Sequence, residues 1–373
     1  MTDYLPWIIV LLAIALAAGF ALGRRAAGRR VPAITPAVQS ARPASAPAAG
    51  PAPAAAMAAS RRDAVSPTVR SVPAVAHPAT TVTAAAVTAL SAARSWGYQL
   101  QDLDLAKAAA SSFDVLVVDY ARDGTDATAL TSTDLARLQK KPDGSRRLVI
   151  AYLSVGEAES YRYYWQKTWK RDKPAWLLGE NPEWDENYAV CFWDPGWQQL
   201  ICGAPDAYLD RILAQGFDGI YLDKCDVTDD LRKHFKPAAR SRPNLDGDMI
   251  AFVQRLSAYA KARRPGFLVV MQNAENLLET PALRAVIDGV AKEELLYGLD
   301  AAERANTKGE IAASRDLLDL LKDDGKPVFV VEYLDNAAKI REAAATAKEL
   351  GYVLYVAPKD RELDRLNGGG AAV

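Results

Sequence analysis

Histidine is nearly absent from this chain of 373 residues; only His77 and His234 occur. His77 lies among Pro, Ala, Val and Thr, which leaves His234 alone for a folded part. That argues against a histidine-rich metal site. It also argues against a serine–histidine–aspartate nucleophile, unless His234 is the base. Cysteine is scarce too. Cys191, Cys202 and Cys225 are odd in number and none stands in a C-x-x-C pair, so no zinc site or disulfide framework is indicated. A Cys191–Cys202 bridge is open by spacing but nothing in the sequence supports it. No Gly-rich nucleotide loop follows any β-like run, and no cofactor is expected. A basic excess is also missing. Nine of 45 Lys/Arg but only two of 46 Asp/Glu precede Ser95, so residues 95–373 hold eight more acids than bases. Nucleic acid is therefore not an expected partner.

Long apolar runs are missing except for one. Tyr4–Leu22 is nearly uncharged and of bilayer-spanning length. A secretory signal peptide is the competing reading, weakened by the lack of a basic leading segment. Residues 1–30 thus read as a single-pass inner-membrane anchor with a basic flank. Arg24, Arg25, Arg29 and Arg30 follow the run at once, which favours a cytoplasmic domain. Residues 31–94 form a Pro/Ala-rich linker that cannot bury a core and reaches roughly 40 Å. Such a tether suits a domain working beyond the membrane, so an extracytoplasmic placement is expected despite the arginines. Within the linker, Thr81–Arg94 is Ala-rich and helix-prone. The folded domain is expected over 95–367, with a flexible tail at 368–373.

From Ser95 onward short β-like runs alternate with helical stretches. Strands are expected at Trp96–Leu100, Val115–Asp119, Leu148–Leu153, Gly219–Leu222, Leu268–Gln272, Gly289–Ala291, Val328–Glu332 and Tyr352–Val356. Amphipathic segments such as Asp248–Arg264, Ile311–Asp323 and Asn336–Leu350 lie between them. The pattern predicts an α/β fold, a (β/α)8 TIM barrel, over a doubly wound open sheet. The segment 156–215 is too long for a simple crossover. It carries six of the eight tryptophans: Trp165, Trp169, Trp176, Trp184, Trp193 and Trp197. An aromatic-rich insertion after strand 3 is expected. Its rings could form a satellite core, a wall for stacking sugars, or both.

Strand after strand ends in an acid or amide: Asp119 beside Tyr120, Glu157, Asp223 with Asp226 close behind, Gln272-Asn273-Ala-Glu275, Glu293-Glu294 and Glu332. In a barrel these ends converge on one mouth. Gly216-Phe-Asp-Gly-Ile-Tyr-Leu-Asp223 is the clearest case, with Tyr221 and Asp223 sharing a face. A mouth rich in carboxylates and poor in histidine suits glycoside hydrolysis, because crowded acids keep one proton near neutral pH. An oxygen-ligand Mg²⁺ or Ca²⁺ site is the rival. It lacks a compact Asp-x-Asp run, and no metal is expected.

Several ordered motifs resemble glycoside hydrolase family 114, the endo-α-1,4-polygalactosaminidase-like TIM-barrel family. They are Trp96-Gly-Tyr-Gln-Leu-Gln, Ala151-Tyr-Leu-Ser-Val-Gly-Glu157-Ala-Glu, the strand ending at Asp223, Gln272-Asn273 and Lys292-Glu293-Glu-Leu-Leu-Tyr297. The resemblance implies cleavage of α-1,4 bonds in a galactosamine-containing polysaccharide. It implies Asp223 and Glu293 as the carboxylate pair, with Glu294 as a rival if the motif is offset by one. Asp119, Tyr120, Glu157, Tyr221, Gln272, Asn273, Tyr297 and Glu332 would bind substrate. A barrel that holds polysaccharide without cutting it is the alternative.

Overall fold

The computed structural model describes residues 79–182 and 184–368. The expected anchor, most of the linker and the tail beyond 368 lie outside these residues. Among the described residues no helix is long and apolar enough to cross a membrane.

The described residues form eleven strands: β1 (Trp96–Gln99), β2 (Val115–Val118), β3 (Leu148–Ser154), β4 (Glu157–Glu159), β5 (Leu177–Glu180), β6 (Asn187–Val190), β7 (Gly219–Asp223), β8 (Leu268–Gln272), β9 (Gly289–Glu293), β10 (Val328–Tyr333) and β11 (Val353–Ala357). Eight form one parallel sheet in the order β1-β2-β3-β7-β8-β9-β10-β11. The first and last lie side by side, and Trp96 Nε1 donates to the Val353 carbonyl at 3.0 Å across the seam. The result is the nearly closed eight-stranded parallel barrel read from the sequence. Val115–Val118 and Leu148–Ser154 are buried at every position, as parallel strands covered on both faces must be.

The starts of β7 and β9 share a device. Each begins at the glycine of an Asp-Gly pair. Asp218 accepts the Val149 N–H at 2.9 Å, and Asp288 accepts the Val269 N–H at 2.8 Å. These carboxylates stitch neighbouring strands at the N-terminal face, the face associated with stability. Gly219 is required by space, since a Cβ there would stand 2.5 Å from the Leu268 carbonyl oxygen. Gly216, at φ 102°, ends the helix Tyr208–Gln215 in the left-handed conformation and turns the chain into β7.

The insertion after β3 carries a small antiparallel sheet in the order β4-β6-β5. Behind it Trp169, Trp176 and Trp197 are buried, and Trp197 Nε1 donates to the Val155 carbonyl at 2.9 Å. This is the satellite core that the tryptophan count foretold. All three cysteines are free thiols, so Cys191 and Cys202 are not bridged.

Candidate active site

The C-terminal ends of β7, β8, β9 and β10 present Asp223, Gln272, Glu293 and Tyr333. The residue after each of the first three departs from the strand abruptly. Lys224, Asn273 and Glu294 have φ of 59°, 52° and 53°. Asn tolerates the left-handed region, but Lys and Glu carry a cost there. Ion pairs hold both. Lys224 Nζ lies 3.2 Å from Glu157 and 3.0 Å from Asp230, and Arg361 lies 3.3 Å from Glu294. Gly156 lets the Lys224 turn pass, since a Cβ there would stand 2.4 Å from the Lys224 carbonyl oxygen.

Three donors converge on the Glu293 carboxylate. The Gln272 amide and the Asn273 amide, the latter at 3.3 Å, donate to Oε2, and the Tyr333 hydroxyl donates to Oε1. Asn273 Oδ1 also accepts the Glu293 N–H at 3.1 Å. Gln272 is oriented in turn by the Tyr98 hydroxyl at 3.2 Å. Asp223 has a different setting. Its Oδ2 accepts from the Tyr152 hydroxyl at 2.6 Å, and its Oδ1 accepts the Lys224 N–H at 2.7 Å. Burial, then the Glu293 charge, push its carboxyl up to about 7. Asp223 and Glu293 are both only partly buried, so a ligand at the mouth can reach them.

An aromatic stack forms the floor. Tyr221 packs 5.2 Å from Tyr98 and 6.3 Å from Trp96 inside the barrel, and its buried hydroxyl has no hydrogen-bond partner among the described residues. This apolar floor desolvates the pair above it, which is the first cause of the raised Asp223 value.

The other expected site residues serve different ends. Glu157 is buried, receives Asn181 Nδ2 at 2.8 Å, and props Lys224. Asp119 forms a 2.7 Å ion pair with Arg162. Tyr120 is buried against Tyr208, with ring centroids 5.1 Å apart. Glu332 is fully buried and accepts the Leu296 and Tyr297 N–H groups at 2.7 and 3.2 Å. Tyr297 is buried with it, its hydroxyl turned to Glu342. These five frame the mouth from behind. Three tyrosines that sequence reading passed over, Tyr98, Tyr152 and Tyr333, instead touch the pair or its amide. Among the described residues, no three His, Cys, Asp or Glu side chains are grouped to hold a metal ion.

The raised Asp223 carboxyl has a consequence for stability. Its folded value exceeds its unfolded one, so the folded state binds the proton more tightly. Stability from this group is full below about pH 4 and is lost as pH rises to about 7. Asp223→Asn removes that loss. The variant should melt roughly 2–6 °C above the parent at pH 8, a gap closing towards pH 4, as read by calorimetry. A variant that melts lower at pH 8 would refute the burial argument.

The model of glycoside-hydrolase family GH114 matches residues 77–369. An uncharacterized protein of Methanocaldococcus jannaschii is 39% identical over 286 residues, which cover 73% of this chain and 78% of that protein. One from Deinococcus radiodurans is 40% identical over 286 residues, covering 74% of this chain and 84% of its own. Among solved structures, the glycoside hydrolase domain of PelA from Pseudomonas aeruginosa is alike in fold. Its TM-score is 0.52 at 23% identity, over 74% of this chain and 98% of that domain.

Proposed function

The chain belongs to glycoside hydrolase family GH114, and from that premise we propose that it hydrolyses α-1,4 links in a galactosamine-containing polysaccharide, with Asp223 and Glu293 as the working carboxylates. One observation carries the reading. Two carboxylates share a mouth in unlike surroundings, one beside three donors and the other raised to about 7. Burial and then the Glu293 charge favour the protonated form of Asp223, so this carboxyl keeps a proton available up to about pH 7. Glycosidic cleavage needs this state: one carboxyl to protonate the leaving oxygen and one carboxylate to attack or to activate water. The excess of acids in the folded part suits a polymer with free ammonium groups. The decisive assay is reducing-end release from α-1,4-linked galactosamine polymer, set beside chitosan and an α-glucan. Release from neither galactosamine form, acetylated or deacetylated, overturns the substrate.

The pH profile follows from the same pair. kcat/KM should fall as pH rises through about 7, where the Asp223 proton is lost. The Tyr152 hydrogen bond lowers the Asp223 value, so Tyr152→Phe should move this limb to higher pH. Loss of positioning should lower kcat by roughly tenfold to a hundredfold. A limb that stays in place would show that Tyr152 does not tune Asp223.

The apolar run Tyr4–Leu22 and the Pro/Ala linker support a membrane-tethered enzyme with its barrel outside the cytoplasm. A C-terminal reporter active only in the cytoplasm would overturn that placement.

A further inference from the structure

The aromatic residues of the insertion divide into a buried chain and an open end. Trp169, Trp176 and Trp197 pack in series, with centroids 5.0 and 5.3 Å apart. Trp165 caps the series and is only partly buried. Its ring lies 5.3 Å from Trp169 and 4.7 Å from Tyr188, within 36° of parallel to the latter. Trp165, Trp169 and Tyr188 line a groove of about 320 Å³, whose wall also includes Lys170, Lys173 and Glu180. None of these six residues touches the carboxylate pair.

The groove stands at the catalytic end of the barrel. Tyr188 on β6 lies opposite Ala158 on β4, and β4 opens with Glu157, the partner of Lys224. Its volume is at the lower end for small-ligand sites, about 300–1,000 Å³, enough for a sugar ring. Aromatic faces beside polar heads are what a pyranose asks for: C–H faces stack while hydroxyls hydrogen-bond at the edge. The charges narrow the choice. Lys173 spends one N–H on the Leu178 carbonyl at 2.9 Å and keeps others free. Glu180 already accepts the Glu186 N–H at 2.9 Å. Two ammonium groups against one engaged carboxylate disfavour a cationic sugar.

We propose that this groove is a second carbohydrate site, apart from the carboxylate pair, in which an uncharged N-acetylated pyranose stacks on the partly exposed ring of Trp165, with the buried Tyr188 ring backing it. The galactosamine reading decides only which sugar is tried first; the groove itself does not depend on it. Cleavage would then occur at the mouth while an acetylated residue elsewhere on the polymer is held here.

The test uses the full chain carrying Asp223→Asn, titrated with fully acetylated and fully deacetylated α-1,4-galactosamine oligomers and followed by tryptophan fluorescence and calorimetry. The acetylated oligomer should occupy two sites, and Trp165→Ala should weaken one about tenfold. Lys170→Glu, an exposed change that leaves the core untouched, should shift preference towards the deacetylated oligomer. In the active protein Trp165→Ala should raise KM for polymer about tenfold and leave a short chromogenic glycoside unaffected. Affinity for the acetylated oligomer unchanged in both variants would reduce the groove to packing and end the proposal. Trp165-dependent binding of N-acetylglucosamine oligomers, with no cleavage of any galactosamine polymer, would sink the substrate reading and leave the groove standing.

Discussion

Asp223→Asn and Glu293→Gln should each lower polymer turnover by about a thousandfold at neutral pH, without loss of the fold. Each substitution keeps the size of the side chain and removes only its capacity to carry charge or exchange the proton. Asn at 223 can still accept from the Tyr152 hydroxyl, which now sits 2.6 Å from the carboxylate. The accompanying rise in melting temperature separates lost chemistry from lost structure. Gln at 293 is less benign. Two carboxylate oxygens now serve Gln272, Asn273 and Tyr333, and one amide oxygen cannot satisfy all three donors. A small stability loss, of order 1 kcal/mol, should accompany that variant. On the proposed roles the pair acts as a unit, so the double variant should be little slower than the worse single one. Initial rates of reducing-end release, measured beside melting curves, decide the matter. Release that survives both single substitutions removes these residues from the chemistry of this glycoside hydrolase.

Much of this site was legible because a parallel barrel imposes simple rules. Apolar runs bounded by turns located the barrel strands, and the C-terminal rim collected their polar ends. What escaped was the pleat. In Val-Val-Glu-Tyr the acid drew attention, yet Phe329 faces Trp96 inside the barrel at 5.5 Å. Counting in twos from Phe329 sends Tyr333 inward and Glu332 outward, so Tyr333 meets Glu293 and Glu332 caps backbone N–H groups. The same count on β3 puts Tyr152 on the face of Ser154, though Glu157 was the residue that stood out. β9 also runs further than its apolar residues suggested, because Lys292 and Glu293 keep pairing with Val330 and Val331. Arg162 gave no signal at all. It lies in an irregular stretch, and its partners are distant in sequence or hidden in a motif read for other residues.

Arg162 carries the second large effect. Its side chain is 1% exposed and pairs with Asp119 at 2.7 Å and with Glu159 at 2.6 and 3.1 Å. It also donates to the Gly124 carbonyl at 3.2 Å. The rings of Tyr120, Tyr161 and Tyr208 lie within 5.5 Å of its guanidinium carbon. Asp119 follows β2 and Glu159 closes β4, so this one cation fastens the insertion to the barrel rim. Even with it present, burial pushes the Asp119 carboxyl up to about 6. Arg162→Met would leave two carboxylates buried without a counter-charge, a loss of about 3–5 kcal/mol. For a domain of this size the melting temperature should fall by roughly 10 °C. Part of the loss should return as pH drops, because protonating the already raised Asp119 carboxyl removes one of the unpaired buried charges. Arg162→Lys should recover little, since an ammonium cannot form the two-pronged bond to Glu159 or reach Asp119 at once. Combining Arg162→Met with Asp119→Asn and Glu159→Gln should recover more than Lys does, for the charges themselves are then gone. Denaturation at pH 5 and pH 8 across these variants reads the argument directly. A stability loss that is equal at both pH values would show that Arg162 acts through packing alone.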